Sequence, residues 1–204
     1  MKAILGIITA LVPCLAQAAG TVIFSDNFDS EVTTGLNVTP AGWTISNGGT
    51  VDTVPSGEYF PCFGSGGNCV DLDGTSDKSG DLVSPALLLT AGETYTATFE
   101  LSGNQRTTQT DVVAVTFGTS SSSFSFTGSA PFTLESISFD PHITGTYNLS
   151  FLDNSNDDYG AILDNVTVTS AVPEPSGAWL LVCGLGGLAL LTRIRPVRLD
   201  RLFA

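Results

Sequence analysis

Basic side chains are nearly missing from the body of this 204-residue chain. Of its seven Lys and Arg, Lys2 stands at the start and Arg193, Arg195, Arg198 and Arg201 at the end, which leaves Lys78 and Arg106 for everything between. Eighteen Asp and Glu lie from Asp26 to Asp164, so that stretch carries a net charge of about −16. A surface of that sign repels phosphate backbones and anionic lipid, which excludes nucleic acid as a partner. It suits divalent cations, neutral glycans, or plain solubility outside a cell. Histidine is as scarce: His142, in Asp140-Pro141-His142, is the only one. There is no Gly-x-Ser-x-Gly elbow and no Gly-rich phosphate loop, and spacing singles out no pair of acids. No catalytic set results, and the chain is expected not to be an enzyme. Helical periodicity is missing from the middle, and long apolar runs occur only near the two ends.

Those ends read as addresses. Met1-Lys2 is a short basic region, residues 3–15 are apolar, and Ala16-Gln17-Ala18 has the small-x-small form of a signal peptidase site. Residues 1–18 are therefore expected to be a cleaved signal peptide. Leu11-Val12-Pro13-Cys14 loosely resembles a lipobox, but Pro13 stands where a small residue is usual. At the other end Pro173-Glu174-Pro175 leads into an apolar run, 177–191, and then into the arginines. Two prolines favour extended backbone. As a helix the run would span about 22 Å, short of the ~30 Å hydrocarbon core, and the positive-inside rule keeps the arginines cytoplasmic. The mooring is therefore read as temporary.

Residues 172–204 resemble the C-terminal sorting signal of PEP-CTERM proteins, exosortase substrates of Gram-negative bacteria that make exopolysaccharide. That resemblance implies that an exosortase recognises Pro173, Glu174 and Pro175. It would remove or exchange an inner-membrane anchor stopped by Arg193, Arg195 and Arg198, leaving the protein at the cell surface or in the extracellular matrix. Pro196 and the extension 197–204 depart from the compact arginine ending of the family. A plain tail-anchored surface protein is the alternative.

Between the ends, residues 19–171 form one domain's length. Short apolar alternations broken by Gly, Pro, Asn, Asp and Ser predict strands at 21–24, 42–46, 68–73, 80–83, 94–101, 111–117, 123–126, 132–140, 144–152 and 160–169. Tyr95, Ala97, Phe99 and Leu101 share one face, and Tyr147, Leu149 and Phe151 repeat the device. Such faces need a second sheet, so the expected fold is an all-β sandwich of jelly-roll type, with an immunoglobulin-like sandwich as the second choice. In 132–140 the parity slips between Phe132/Leu134 and Ile137/Phe139, which predicts a bulge near Glu135-Ser136.

Setting aside Cys14 and Cys183 in the end segments, Cys62 and Cys69 make an even pair around a Gly-rich loop in an exported domain. A disulfide is expected, worth about 2 kcal/mol. Asp164 shares parity with Ile162, Val166 and Val168 and is expected to point inward, where a carboxylate needs a partner or a metal. Calcium is the natural candidate; capping of a nearby turn by Asp164 is the alternative.

Ser25-Asp26-Asn27-Phe28-Asp29, Gly42-Trp43-Thr44-Ile45, Ala91-Gly92-Glu93-Thr94-Tyr95 and Leu163-Asp164-Asn165-Val166 resemble the landmarks of jelly-roll carbohydrate-binding modules. The resemblance implies a structural calcium ion shared by Asp29 and Asp164, with Asp26 as a further ligand. Polysaccharide binding would need an exposed aromatic platform. Tyr59, Phe60 and Phe63, held outward around the disulfide loop, are the candidates, with Tyr159, Arg106 and Asn104 available as neighbours; a packed loop base explains the cluster as well. Trp43 reads as core. The acidic runs Asp71-Leu72-Asp73-Gly74 and Asp153-Asn154-Ser155 do not fit an EF-hand register and read as solvated turns.

Overall fold

A computed structural model describes residues 20–171 other than Asp77 and Asn156. The expected signal peptide and the segment holding Pro173, Glu174, Pro175, Arg193, Arg195 and Arg198 lie outside the described residues. Among the described residues, no helix is long and apolar enough to cross a membrane.

Strands dominate, and every strand pair is antiparallel. They are β1 (Thr21–Asp26), β2 (Thr44–Ile45), β3 (Asp52–Pro55), β4 (Asn68–Asp71), β5 (Leu82–Val83), β6 (Leu87–Leu89), β7 (Tyr95–Ser102), β8 (Thr110–Phe117), β9 (Ser120–Thr127), β10 (Thr133–Phe139), β11 (Gly145–Tyr147), β12 (Leu149–Asp153) and β13 (Ile162–Ser170). One sheet runs β10-β7-β13-β4-β3, with β1 on the far half of β13; the other runs β2-β5-β12-β8-β9; β11 and β6 form a separate ribbon.

The core lies where the two sheets face each other. Alternation places Tyr95, Ala97, Phe99 and Leu101 of β7 and Val113, Val115 and Phe117 of β8 in it, with Leu149 and Phe151 of β12. Phe99 meets Phe151 edge-on at 5.0 Å between ring centroids, and Trp43 packs on Phe151 at 6.2 Å. A second, smaller cluster of Val54, Phe60, Cys62, Cys69 and Ile162 lies apart from this core, with Phe132 against it.

Three expectations about strands are corrected. The run 144–152 is two strands, not one: β11 pairs with β6 and β12 with β5 and β8. The switch falls at Asn148, whose amide donates to the Ser84 carbonyl at 2.8 Å. Strands β3 and β6 were not expected; in β3, Asp52 and Pro55 are poor strand formers that an edge position tolerates. The bulge is in a different strand. β10 pairs with β7 in unbroken register from Thr133↔Leu101 to Phe139↔Tyr95, and Leu134 simply faces solvent.

The extra residue sits in β13, whose register with β7 shifts between Asp164 and Thr167, where Asn165 has φ +49°. An inserted residue turns the following side chains over. Leu163, Val166 and Val168 therefore share the main core, while Ile162 belongs to the outer cluster. Asp164, opposite Glu100, shares the Ile162 side, and not the inward face that its parity with Val166 implied.

Candidate functional site

The loop from β3 to β4 folds over the outer face of the first sheet. Its Ser56 N–H donates to the Gly67 carbonyl at 2.8 Å, and the Cys62–Cys69 disulfide closes it with 5.6 Å between Cα atoms. The pairing expected from the sequence is thus present. A closed loop of this length stabilises the fold by about 2.5 kcal/mol through the unfolded chain.

Within this loop the three aromatic candidates part company. Tyr59 is 48% exposed and Phe63 42%, whereas Phe60 is 4% exposed. Phe60 is a floor rather than the outward platform residue expected. Its ring lies 4.9 Å from the guanidinium carbon of Arg106, which lies at the same distance from the ring of Tyr159 on another side. Arg106 also forms an ion pair with Asp71. Its backbone N–H and Nε bond to Asn104 Oδ1 and the Asn104 carbonyl at 2.9 and 3.2 Å. Tyr159 is itself exposed, and Phe63 meets Phe132 edge-on at 5.8 Å. Arg106 is thus a fixed cation against the buried ring of Phe60 and the exposed ring of Tyr159, while Tyr59 and Phe63 are exposed aromatics of the disulfide loop.

The carboxylates singled out in the sequence divide into two places. Asp26 spends Oδ2 on Trp43 Nε1 and Oδ1 on the Phe28 N–H, both at 2.8 Å, and so pins the buried Trp43 in the core. Asp29 and Asp164 are neighbours at the disulfide loop. Asp29 Oδ1 accepts the Asn68 N–H at 3.1 Å, and Oδ2 accepts the Asn27 amide at 2.7 Å. Gly67 packs directly on this carboxylate, for a Cβ there would fall 1.5 Å from Asp29 Oδ1; with φ +66° the position belongs to glycine.

Asp164 takes the Asn165 N–H at 2.7 Å and the Phe63 N–H at 3.1 Å, so it ties the last strand to the disulfide loop. Burial pushes its pKa up to about 7, these two N–H groups oppose the shift, and the charges of Asp29 and Glu100 add to it. Three carboxylates thus share a region that no ion pair among the described residues neutralises. Oxygen-rich and acidic, the set has the chemistry of a hard cation site. The sulfurs of Cys62 and Cys69 also lie within 4.8 Å of the Asp164 carboxylate. Joined to each other they are not thiolates, so they do not make this a soft-metal centre.

Two antiparallel sheets enclosing one core, with a closed loop and aromatics on an outer face, define a jelly-roll β-sandwich of the kind found in carbohydrate-binding modules. Solved structures of that fold match. The CBM22-1 xylan-binding domain from Paenibacillus barcinonensis Xyn10C has a TM-score of 0.55 and 13% identity, over 78% of this chain and 99% of that one. The K3 cleaved adhesin domain of Lys-gingipain from Porphyromonas gingivalis W83 has a TM-score of 0.52 and 16% identity, over 73% of this chain and 99% of that one. The arabinose-bound MgGH51 α-L-arabinofuranosidase has a TM-score of 0.52 and 10% identity, over 75% of this chain and 27% of that one. No protein-family model matches the chain, and no curated protein matches it in sequence.

Proposed function

We propose that this chain is an exported, non-catalytic protein of the bacterial cell surface or extracellular matrix whose sandwich binds polysaccharide. The observation that carries the reading is the exposure of Tyr59 and Phe63 on the disulfide loop and of Tyr159 beside Arg106. Sugar rings stack on such faces, and a disulfide-closed base holds two of the three aromatics at little entropic cost. The net negative charge favours neutral glycans, or acidic ones bridged by a divalent cation. Calcium held by Asp29 and Asp164 would fix the loop that carries Tyr59 and Phe63; Asp26 is the weaker candidate ligand because its carboxylate is engaged with Trp43 and Phe28 in the core and not with the disulfide loop.

Pull-down of the full chain on a panel of polysaccharides, with and without chelator, tests this. Retention on at least one polysaccharide is expected, weakened about 5- to 10-fold by Tyr59→Ala or Tyr159→Ala, as loss of one stacked ring implies. Failure to bind any polysaccharide would leave an exported surface protein with no glycan role.

The route to that surface is the second half of the proposal. Signal peptidase cuts after Ala18, and an exosortase acts at Pro173, Glu174 and Pro175 after a transient inner-membrane stage. The motivating observation is the order of triplet, apolar run and arginines at the end of the chain. Intact mass of the protein recovered from the producing cells' surface or medium is expected to lack everything beyond the Pro-Glu-Pro region. A mature form that keeps Arg193, Arg195 and Arg198 would sink the sorting reading.

A further inference from the structure

The two acidic runs that read as solvated turns in the sequence bury three of their aspartates and are not separate. They follow β4 and β12 and meet at one end of the sandwich, where Asp71, Asp73 and Asp153 are all buried to 1% exposure or less. Asp73 Oδ2 accepts the backbone N–H groups of Asp157 and Asp158 at 2.7 and 3.2 Å and lies 3.1 Å from the Ser155 hydroxyl. Asp153 Oδ1 accepts the Ser155 N–H at 2.8 Å, and Oδ2 accepts the Ala161 N–H at 2.8 Å. Asp71 Oδ1 accepts the N–H groups of Asp73 and Gly160. The chain at Gly160 passes so close that a Cβ would fall 2.3 Å from the Asp73 nitrogen.

Two details are out of balance in this arrangement. Asp73 Oδ1 is a buried carboxylate oxygen without any hydrogen-bond partner. Burying such an atom bare costs more than folding ordinarily tolerates. Ser155 Oγ lies 3.1 Å from Asp73 Oδ2 and 2.6 Å from Asp153 Oδ1. A hydroxyl has one hydrogen, so it can donate to only one of these two oxygens. The other approach sets acceptor against acceptor.

Charge is unbalanced as well. Asp52 stands opposite Asp71 in register, and Asp111 is held by the Asn104 amide. Arg106 is the only cation in an ion pair among the described residues, and Asp71 takes it. Among the described residues no ion pair reaches Asp73.

We propose that a divalent cation of the calcium class binds at the junction of these two loops. Asp73, through Oδ1, and Asp153 are its carboxylate ligands, and Ser155 Oγ is a neutral one. The donors are all oxygen, which suits calcium better than zinc or copper. The site is distinct from the pair Asp29 and Asp164, and it does not depend on whether a glycan binds. Its effect is to join two loops that are more than eighty residues apart in sequence, 82 between Asp73 and Ser155.

Calorimetric titration with calcium chloride tests the proposal, using the full chain purified in mild detergent, stripped with chelator and held at pH 7.5. The Asp164→Asn variant, with the other candidate site disabled, is expected to bind one calcium with a Kd of about 10⁻⁴ to 10⁻³ M, the range of extracellular modules. At 10 mM calcium its unfolding midpoint should rise by several degrees. Adding Asp73→Asn should weaken binding at least 10-fold. Adding Ser155→Ala instead, which keeps every carboxylate, should weaken it about 3-fold and decides the matter if Asp73→Asn fails to fold. No calcium-dependent heat or midpoint shift in Asp164→Asn would overturn the proposal. Unchanged affinity in Asp73→Asn, or in Ser155→Ala where that variant has to decide, would overturn it equally.

Discussion

Replacing Arg106 with alanine is expected to lower the unfolding free energy by about 3 to 5 kcal/mol, the cost of leaving one member of a buried ion pair alone. Asp71 is fully buried, and burial already raises its pKa well above the ordinary value against the pull of Arg106. Asp52, its cross-strand neighbour, adds a like charge. With the guanidinium gone, the N–H groups of Asp73 and Gly160 are the remaining donors to Asp71. Phe60 and Tyr159 lose the cation packed against both their rings, worth about 1 kcal/mol more. Arg106→Lys should recover only part of the loss, because an ammonium lacks the planar guanidinium that packs on both rings.

Chemical denaturation of wild type, Arg106→Ala, Asp71→Asn and the double variant gives the coupling directly. The double variant should be more stable than Arg106→Ala alone, since it removes the orphaned charge. A loss below about 1 kcal/mol for Arg106→Ala would place the pair among weak surface bridges, against the 20% exposure of the arginine side chain and the complete burial of its partner.

This role for Arg106 was half legible in the sequence. Eighteen acids and two bases in one domain mean that any buried carboxylate with an ionic partner must draw on Lys78 or Arg106. Which carboxylate claims it depends on a turn at Gln105, φ +59°, and on Asp71 facing out of β4. Strands with clean alternation, β7, β8 and β12, were legible because one buried face forces period two. The orientation of Asp164 was not, because parity was counted through a bulge whose signal is a single asparagine at positive φ. Nor could local pattern show that the loops after β4 and β12 meet, since their hydrogen bonds span 82 to 85 positions. The disulfide was readable for the opposite reason: its partners are seven apart, and nothing else in the domain competes for them.

The second large effect is a pH dependence with an unusual sign. In chelator, the fold should grow more stable as the pH is lowered from 8 to 5, by roughly 2 to 4 kcal/mol. Burial pushes Asp164 up to about 7 and Asp111 up to about 6, with Asn104 opposing the second shift and the charges of Asp153 and Asp157 adding to it. Burial raises Asp153 in the same direction. In the unfolded chain each titrates near 3.9. Between those values the folded state holds protons that the unfolded state has released, so protonation favours folding. That contribution is complete below about pH 4 and disappears as the pH rises through 6 and then 7. For a domain of this size the midpoint should move by about 6 to 12 °C across the range. Asp164→Asn should remove more than half of the slope, and Asp111→Asn most of the remainder. Calcium should flatten the wild-type profile by stabilising the pH 8 end, because cation and proton compete for the same oxygens. A midpoint in chelator that is level or falls between pH 8 and pH 5 would mean that these carboxylates stay ionised in the fold. The positive charge that they lack would then have to come from elsewhere in the chain.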